Sequence, residues 1–285
     1  IQFLHVGEEI HFEVSKLGLL EKDIVLGTTL VDMYAKCSMM AKAQEAFDEI
    51  LVRNVATWNA LIIGYAQDGH GHEALICFKK MQDERIKPDA ITLVNILKVC
   101  RSQEALDVGK VLHFYIIEDN SNVDAFVQSS LIDMYSNCGS FDDAYNVFNL
   151  LKTQTTVTWN AAISACARHN EYRLAEKLFK DMIQSGLQPE EVTFICILSA
   201  CSRAGLVDKG CHYLRLMVTS FGMPPTLEHM NSMVDILSHA KKWDEAEDLL
   251  ETIPFHSNSV GWMSLLSSCR THTTLSLGKR CFSYV

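Results

Sequence analysis

The sequence predicts an all-α fold in which helical hairpins stack into an α-solenoid. One observation is recurrence, since Trp58 and Asn59 return as Trp159 and Asn160, 101 positions later. The other is the spacing of apolar residues, which follows i, i+3, i+4, i+7 in segments interrupted by turn residues. A hairpin of about 35 residues cannot bury its own apolar stripe, so neighbouring hairpins have to stack. A single compact helical bundle is the alternative, but a register kept along 285 residues favours the solenoid.

The 101-residue period divides into shorter repeats, each with two predicted helices. In repeat 55–89 the first helix ends at the DGHG turn, residues 68–71. The second ends before Pro88, which cannot continue a helix. Alanine at 74 and 175 allows the two helices of a repeat to approach closely. The predicted repeats are 24–54, 55–89, 90–124, 125–155, 156–190, 191–226 and 227–258, with incomplete repeats at 1–23 and 259–285.

Composition excludes several classes of function. Apolar residues make up 48% and charged residues 21%, which is typical of a folded chain. The net charge of −10 argues against a general affinity for phosphate, so any nucleic-acid site has to be local. No apolar run approaches the ~20 residues of a membrane span, and we expect no membrane partner. The chain begins at Ile1 without a signal or transit pattern, which we interpret as a fragment or processed chain whose targeting segment is absent.

The ten cysteines do not have the spacing of a metal site, because C-x-x-C is absent. They follow the repeat instead: Cys37 returns as Cys138, and Cys100 as Cys201. We therefore expect buried, reduced thiols that pack as small hydrophobic groups, and a reducing intracellular compartment.

One short motif suggests catalysis. His11-Phe12-Glu13 spells H-x-E, which opens a zinc deaminase signature, but the partner P-C-x-x-C is missing. In the matching slot, His113 and Phe114 are followed by Tyr115 instead of glutamate. No phosphate-binding loop, nucleophile motif or dinucleotide motif occurs. We predict that the chain is not an enzyme and uses no metal, cofactor or small-molecule substrate.

Asn59 is the polar residue that the helical pattern does not explain. It follows Trp58 at the edge of the apolar stripe, and asparagine is a mediocre helix former. We expect its side chain to face a groove with its amide donors and acceptor available.

Repeat 55–89, from VATWNALIIGYAQDG to ERIKPD, resembles a pentatricopeptide repeat of the plant organellar family. The alternating repeat lengths resemble the P, L and S series of that family. SRAGLVDKG, HAKKWDEAEDLLETIP and VGWMSLLSSCRTH, near the C-terminus, resemble the closing repeats and E motif of its RNA-editing branch. By this resemblance 1–23 is a partial L repeat, 24–54, 125–155 and 227–258 are S, 55–89 and 156–190 are P, 90–124 and 191–226 are L, and 259–285 is a partial E motif.

The resemblance implies a right-handed superhelix that reads single-stranded RNA, one base per repeat. In the family, the fifth and last residues of a repeat address one base together. Val94 and Ile195, at the fifth position of the L repeats, cannot hydrogen-bond a base, so those repeats read little. The implied register is A-U-any-purine-pyrimidine-any-pyrimidine, from Thr28 with Asn54, Asn59 with Asp89, Ser129 with Thr155, Asn160 with Glu190, and Asn231 with Asn258.

The second residue of a repeat flanks the base in this family, and small or apolar side chains suit that contact. Ordinary packing at a helix start is the alternative, and Glu228 departs from the pattern. The implied flanking residues are Val25, Ala56, Ile91, Phe126, Val157 and Val192.

Cations recur near the end of the first predicted helix. A row of this kind fits contacts to RNA phosphates, although solvated surface charge is the simpler interpretation. Lys36, Arg168 and Arg203 stand thirteenth in their repeats, and Arg101 and Arg270 stand twelfth.

The function implied by the resemblance is selection of a transcript site for C-to-U editing in a mitochondrion or chloroplast. Its partners are then single-stranded RNA, a cytidine deaminase domain supplied elsewhere, and editing helper proteins. Stabilisation, processing or splicing of an organellar RNA is one alternative. A protein-binding helical scaffold is another, and polar residues kept in step at the fifth and last positions argue for RNA.

Overall fold

The computed structural model describes residues 2–20, 23–101, 105–119, 124–252, 261–263 and 265–267. These residues form α-helices joined by turns and contain no β-strand, as the sequence predicts. None of the helices in these ranges has the length and hydropathy needed to cross a membrane. The chain divides into two compact parts, residues 1–138 and 139–285.

The N-terminal part, residues 1–138, consists of helical hairpins. Its alternate helices α2, α4, α6 and α8 lie side by side, each packed against the next. The helices between them, α3, α5 and α7, pack on that row. The bounds are α1 Gln2–Lys16, α2 Ile24–Lys36, α3 Met40–Asp48, α4 Val55–Gln67, α5 Gly71–Asp83, α6 Ala90–Val99, α7 Leu106–Asp119 and α8 Ala125–Asn137.

The C-terminal part, residues 139–285, has the same construction. Here α10, α12 and α14 form the row, and α9, α11, α13 and α15 pack against it. Its last hairpin buries Trp262 and Leu265 against α14 and α15. The bounds are α9 Phe141–Leu150, α10 Thr156–Arg168, α11 Tyr172–Gln184, α12 Glu191–Arg203, α13 Val207–Phe221, α14 Leu227–His239 and α15 Trp243–Thr252.

Each helix of these rows begins at the first residue of a predicted repeat. The preceding residue is its N-cap, with extended backbone, and such residues favour oxygen-bearing side chains that accept a backbone N–H. Capping therefore gives the last position of a repeat a structural reason to be polar, independent of any ligand. The caps are Asp23, Asn54, Asp89, Asp124, Thr155, Glu190 and Thr226.

The predicted apolar stripes form the core. Trp58 is buried with its ring edge-on to Phe47, 4.6 Å between centroids. Trp159 makes the same contact with Phe148, at 4.8 Å. Gly64 lets α4 approach α2, because a Cβ at this position would lie 2.6 Å from the Cβ of Ala35. These contacts hold α4 and α10 against their neighbouring helices.

The cysteines of the described residues carry free thiols. Cys100, Cys138 and Cys201 are buried, as expected, but Cys37 and Cys211 are exposed. Burial raises the pKa of Cys100 to about 11 and that of Cys201 to about 12. The buried thiols are therefore unreactive packing groups near neutral pH.

Candidate nucleic-acid interface

The candidate site lies at the N-terminal turns of the row helices. Asn59 on α4 meets the cap of α6, where its Nδ2 donates to Asp89 Oδ1 at 3.0 Å. Its Oδ1 accepts from Thr92 Oγ1 at 2.6 Å. Asn59 is only 6% exposed, so its amide is not free in the way the sequence led us to expect. The reason is that α4 and α6 pack side by side, which turns the fifth position of one repeat toward the cap of the next.

These contacts leave Asn59 with half of its hydrogen-bonding capacity. An amide has two N–H groups and two lone pairs on oxygen, and one of each is used internally. The orientation of the amide is also fixed, because the ionised carboxylate of Asp89 only accepts hydrogen bonds and has to face Nδ2. Asn59 therefore keeps one N–H and one lone pair that no internal contact uses, in a defined order.

Asp89 is held as a carboxylate by this network. Burial alone would raise its pKa, but hydrogen bonds from Thr92, Asn59 and the backbone of Ile91 outweigh burial and lower the pKa below its usual value. The same oxygen, Oδ1, accepts from the backbone N–H of Thr92 at 2.9 Å. Asp89 thus caps α6 and orients Asn59 with one oxygen atom.

The neighbouring pair, Thr28 and Asn54, is linked through a third residue. Thr57 Oγ1 lies 3.0 Å from Asn54 Oδ1 and 2.9 Å from Thr28 Oγ1. Either hydroxyl of the Thr28–Thr57 contact can be the donor, because Thr57 can give its one hydrogen to Asn54 or to Thr28. Thr57 thereby links Thr28 to the cap of α4.

The equivalent pair in the C-terminal part, Asn160 and Glu190, is arranged differently. Asn160 is 9% exposed, and its Oδ1 is buried with no hydrogen-bond partner. Glu190 N donates to Thr193 Oγ1 at 3.0 Å, as Asp89 N does to Thr92. In the described part of the chain, no hydrogen bond joins Asn160 to Glu190 or Thr193. The asparagine position is retained here without the network that orients Asn59.

For the remaining predicted pairs, the structure gives the contacts of each described residue separately. Ser129 Oγ donates to the carbonyl of Phe126 within α8, at 2.9 Å. Thr155, which belongs to the other part of the chain, caps α10 by accepting from Thr158 N. Asn231 carries a buried Oδ1 without a partner. Its predicted companion Asn258 lies outside the described residues.

The predicted flanking residues are mostly exposed despite being apolar. Four of them are between 52% and 70% exposed, Ala56 is exposed and Val157 is half-buried. Each lies three residues before a fifth position, which places both on one face of the helix. Packing at the helix start does not account for side chains this exposed. The four are Val25, Ile91, Phe126 and Val192.

The predicted phosphate contacts lie at the other end of the row helices. Lys36, Arg168 and Arg203 are the last residues of α2, α10 and α12, about 12 Å along the helix from the fifth positions. A cation there also interacts favourably with the helix dipole. Lys36 is paired with Asp32 at 2.7 Å. Arg101 is exposed just after α6, and Arg270 lies outside the described residues.

The two histidines of the H-x-E comparison have a shared structural role. His11 Nδ1 lies 3.1 Å from the Tyr34 hydroxyl, and His113 Nδ1 lies 2.9 Å from that of Tyr135. Each histidine thus fastens the second helix of one repeat to the first helix of the next.

The third residue of the repeats was not predicted as part of the site. A threonine there is fully buried at the start of α4, α6, α10 and α12 and bonds to the preceding cap residue. The detectable signal was the spacing of a capping box, an N-cap residue followed three positions later by a side chain that can bond back. The residues are Thr57, Thr92, Thr158 and Thr193.

Two family models match this chain. The model described as the PPR repeat family matches residues 53–101 and 154–203. The model described as the PPR repeat matches residues 28–55, 129–154, 192–220 and 228–254. Together they account for most of the sequence.

Several proteins of Arabidopsis thaliana are similar over nearly the whole chain. A pentatricopeptide repeat-containing protein is 37% identical over 98% of this chain and 38% of its own length. The chloroplastic pentatricopeptide repeat-containing protein CRR2 is 35% identical over 98% of this chain and 43% of its own length. A putative mitochondrial pentatricopeptide repeat-containing protein is 32% identical over the entire chain and 45% of its own length. The chain thus spans less than half the length of these curated relatives.

Solved structures show the same fold. The pentatricopeptide repeat protein PPR10, in complex with an 18-nt psaJ RNA element, superposes with a TM-score of 0.75 at 18% identity. That match covers 93% of this chain and 40% of PPR10. PPR10 from maize in a second structure gives a TM-score of 0.62 at 19% identity, covering 90% of this chain and 38% of that one.

Proposed function

Because this chain belongs to the pentatricopeptide repeat family, we propose that it binds single-stranded RNA sequence-specifically, with one base per polar repeat. The observation that carries the proposal is the pairing of an exposed apolar second residue with a polar fifth residue on the same helix face. A solvated valine or phenylalanine offers a surface for a base to pack on. The fifth residue three positions later offers hydrogen bonds to the edge of that base. The relation to PPR10, whose structure contains RNA, supports the same function.

The chemistry of the Asn59 side chain fits a pyrimidine. Its remaining N–H and lone pair can bond to a carbonyl oxygen and the N3–H of uracil side by side. Asp89 fixes which side of the amide carries the donor, so the two partners have to be presented in one order. The polarity of Asp89 itself is explained by capping, and the proposal therefore depends on the fifth position more than on the last.

Binding to short synthetic RNA tests this proposal. The probe is a labelled single strand with the A-U-any-purine-pyrimidine-any-pyrimidine register, in four versions that differ only at the position assigned to repeat 55–89. We expect the wild-type protein to prefer uracil there by fluorescence anisotropy. The double variant Asn59→Ser with Asp89→Asn is expected to lose uracil preference and gain adenine preference at that position alone.

A matched control makes the same chemical changes elsewhere. Asn146→Ser with Asp83→Asn alters one asparagine and one aspartate that are exposed on α9 and α5. We expect this variant to bind all four strands as the wild type does. Equal binding of all four strands by the wild type would exclude base reading by repeat 55–89, and failure to bind any of them would exclude RNA recognition by this chain.

We also propose that the RNA is an organellar transcript and that binding selects a cytidine for editing by a deaminase supplied elsewhere. Relatives named as chloroplastic and mitochondrial support an organelle. Editing rests on the resemblance of residues 259–285 to an E motif, and most of that segment lies outside the described residues.

Sequencing of organellar RNA from cells lacking the protein distinguishes editing from the alternatives. The expected result is loss of C-to-U conversion at one or a few sites whose upstream sequence fits the register. Unchanged editing with altered transcript abundance, ends or intron content would favour a role in stabilisation, processing or splicing instead.

A further inference from the structure

Two of the base-reading pairs proposed above share a feature that a two-residue description omits. In each, a threonine at the third position of the following repeat contacts the pair. Thr57 lies between Thr28 and Asn54, and Thr92 contacts Asn59 and the carboxylate of Asp89. Both threonines are fully buried and so are unable to contact RNA themselves.

Each hydroxyl links the reading residue to the cap residue. Thr57 Oγ1 lies 3.0 Å from Asn54 Oδ1 and 2.9 Å from Thr28 Oγ1, and these contacts restrict the rotation of the Thr28 hydroxyl. Thr92 Oγ1 lies 2.6 Å from Asn59 Oδ1 and 2.9 Å from Asp89 Oδ1, so its one hydrogen is shared between the two oxygens. With Asp89 on the nitrogen side, the amide of Asn59 has both ends held.

We infer that the third residue of a repeat is a positioning residue for base recognition by the preceding repeat. Thr57 acts on the base read by Thr28, and Thr92 acts on the base read by Asn59. This inference rests on the proposed function, since it concerns the same recognised base. It adds a third position to the two that determine specificity, and it acts through orientation and not through contact with RNA.

The C-terminal part contains a natural counterexample. Thr193 is buried at the same position and accepts the backbone N–H of Glu190 as Thr92 accepts that of Asp89, but Asn160 Oδ1 has no partner. A threonine at the third position therefore orients the asparagine only where the cap residue allows it. We accordingly expect weaker base discrimination by repeat 156–190 than by repeat 55–89.

The test exchanges hydroxyl for methyl at one repeat junction at a time. Thr92→Val and Thr57→Val keep the side-chain shape and remove the hydroxyl, and Thr92→Ser restores it. Each protein is titrated with strands that vary at the position of repeat 24–54 or at that of repeat 55–89. We expect Thr92→Val to reduce base discrimination about fivefold at the second position only, and Thr57→Val to do so at the first only. Thr92→Ser should retain discrimination.

Thr219→Val is the matched control, because the Thr219 hydroxyl is exposed and bonds only to the backbone of its own helix at Arg215. It should leave both positions unchanged. A Thr92→Val protein that loses affinity equally for all bases while keeping its discrimination would overturn the inference, since that is the result of a structural role alone.

A measurement without RNA separates this inference from the proposed function. In protein labelled with ¹⁵N-asparagine, the side-chain amide of Asn59 is followed by NMR and identified by its loss in Asn59→Ala. We expect Thr92→Val to accelerate proton exchange of that amide severalfold and Thr92→Ser to restore slow exchange. An unchanged amide would overturn the positioning role. An altered amide in a protein without base preference would instead contradict the proposed function and leave Thr92 as the residue that orients Asn59.

Discussion

Repeats 55–89 and 156–190 place a tryptophan and an asparagine at the same two positions of α4 and α10. The tryptophans have nearly identical surroundings, each edge-on to a phenylalanine of the preceding hairpin. The asparagines do not. Asn59 is hydrogen-bonded at both ends of its amide, whereas Asn160 has a buried oxygen with no partner.

The cap residue accounts for this difference. Asp89 places a carboxylate oxygen within reach of both Asn59 and Thr92. Glu190 is one methylene longer; its side chain forms a capping box with Thr193, but no hydrogen bond among the described residues joins it to Asn160. Aspartate is also the better N-cap, because its short side chain reaches the first free N–H groups of the helix. The two repeats therefore keep the same tryptophan packing while the hydrogen bonds of their asparagines differ.

The largest effect should come from the part that the two repeats share. Trp58→Ala and Trp159→Ala each remove a buried aromatic ring, and we expect each to lower the free energy of unfolding by about 3–5 kcal/mol. Urea denaturation followed by circular dichroism measures this. Phe114→Ala, which removes a largely exposed ring, should change stability by less than about 0.5 kcal/mol. Very different costs for the two tryptophans would contradict the equivalence of their packing.

A smaller effect should separate the two asparagines. Asn59→Ala breaks two internal hydrogen bonds, and we expect a loss of about 1–3 kcal/mol. Asn160→Ala removes a buried oxygen that has no partner and improves helix propensity, so its cost should lie within about 0.5 kcal/mol of zero. Asn95→Ala, whose amide bonds only to the carbonyl of Ile91, is the control. Equal losses at positions 59 and 160 would show that Asn160 has partners equivalent to those of Asn59.

Much of the fold was predictable because its signals are periodic. The tryptophan stripe and the proline after the second helix of repeat 55–89 identify helices and their ends from spacing alone. The all-α solenoid class was therefore confirmed. The burial of Asn59 was not predictable, because it depends on how closely α4 approaches α6. The spacing of apolar residues along one helix contains no information about the distance to the next helix.

The sequence predicted which positions of a repeat belong to the candidate site, but not the contacts between their side chains. The sequence placed polar residues fifth and last, but it did not show that the last residue is a helix cap or that Thr92 connects the two. Glutamate in place of aspartate at position 190 was visible in the sequence, but its effect on the contacts of Asn160 was not. Glutamate is longer than aspartate by one methylene group, and only the distances in the structure show which carboxylate reaches the asparagine of its own repeat.

The effect of Glu190→Asp should be smaller again and of opposite sign. The shorter side chain is expected to cap α12 and accept from Asn160 Nδ2, raising stability by about 0.5–1 kcal/mol. Base discrimination at the position of repeat 156–190 should increase with it. Glu191→Asp, at the next and exposed position, controls for the shorter side chain in the first turn. Increased stability without increased discrimination would indicate that only the cap has been improved.

The smallest effect should be a dependence on pH that is confined to acid. Folding lowers the pKa of Asp89 from its usual value of 3.8, because its hydrogen bonds outweigh the opposing effect of burial. The ionised carboxylate thus contributes stability that is fully present above pH 3.8 and is lost as the pH falls through the lower folded-state value. Asp89→Asn cannot ionise, so the stability difference from the wild type should be constant near neutral pH and shrink below pH 3.8. Urea midpoints of both proteins at several pH values measure this, with Asp83→Asn as the exposed control. A difference that grows on acidification would mean that Asp89 is bound more tightly as the acid than as the carboxylate, and would remove the reason why the Asn59 amide has a single orientation.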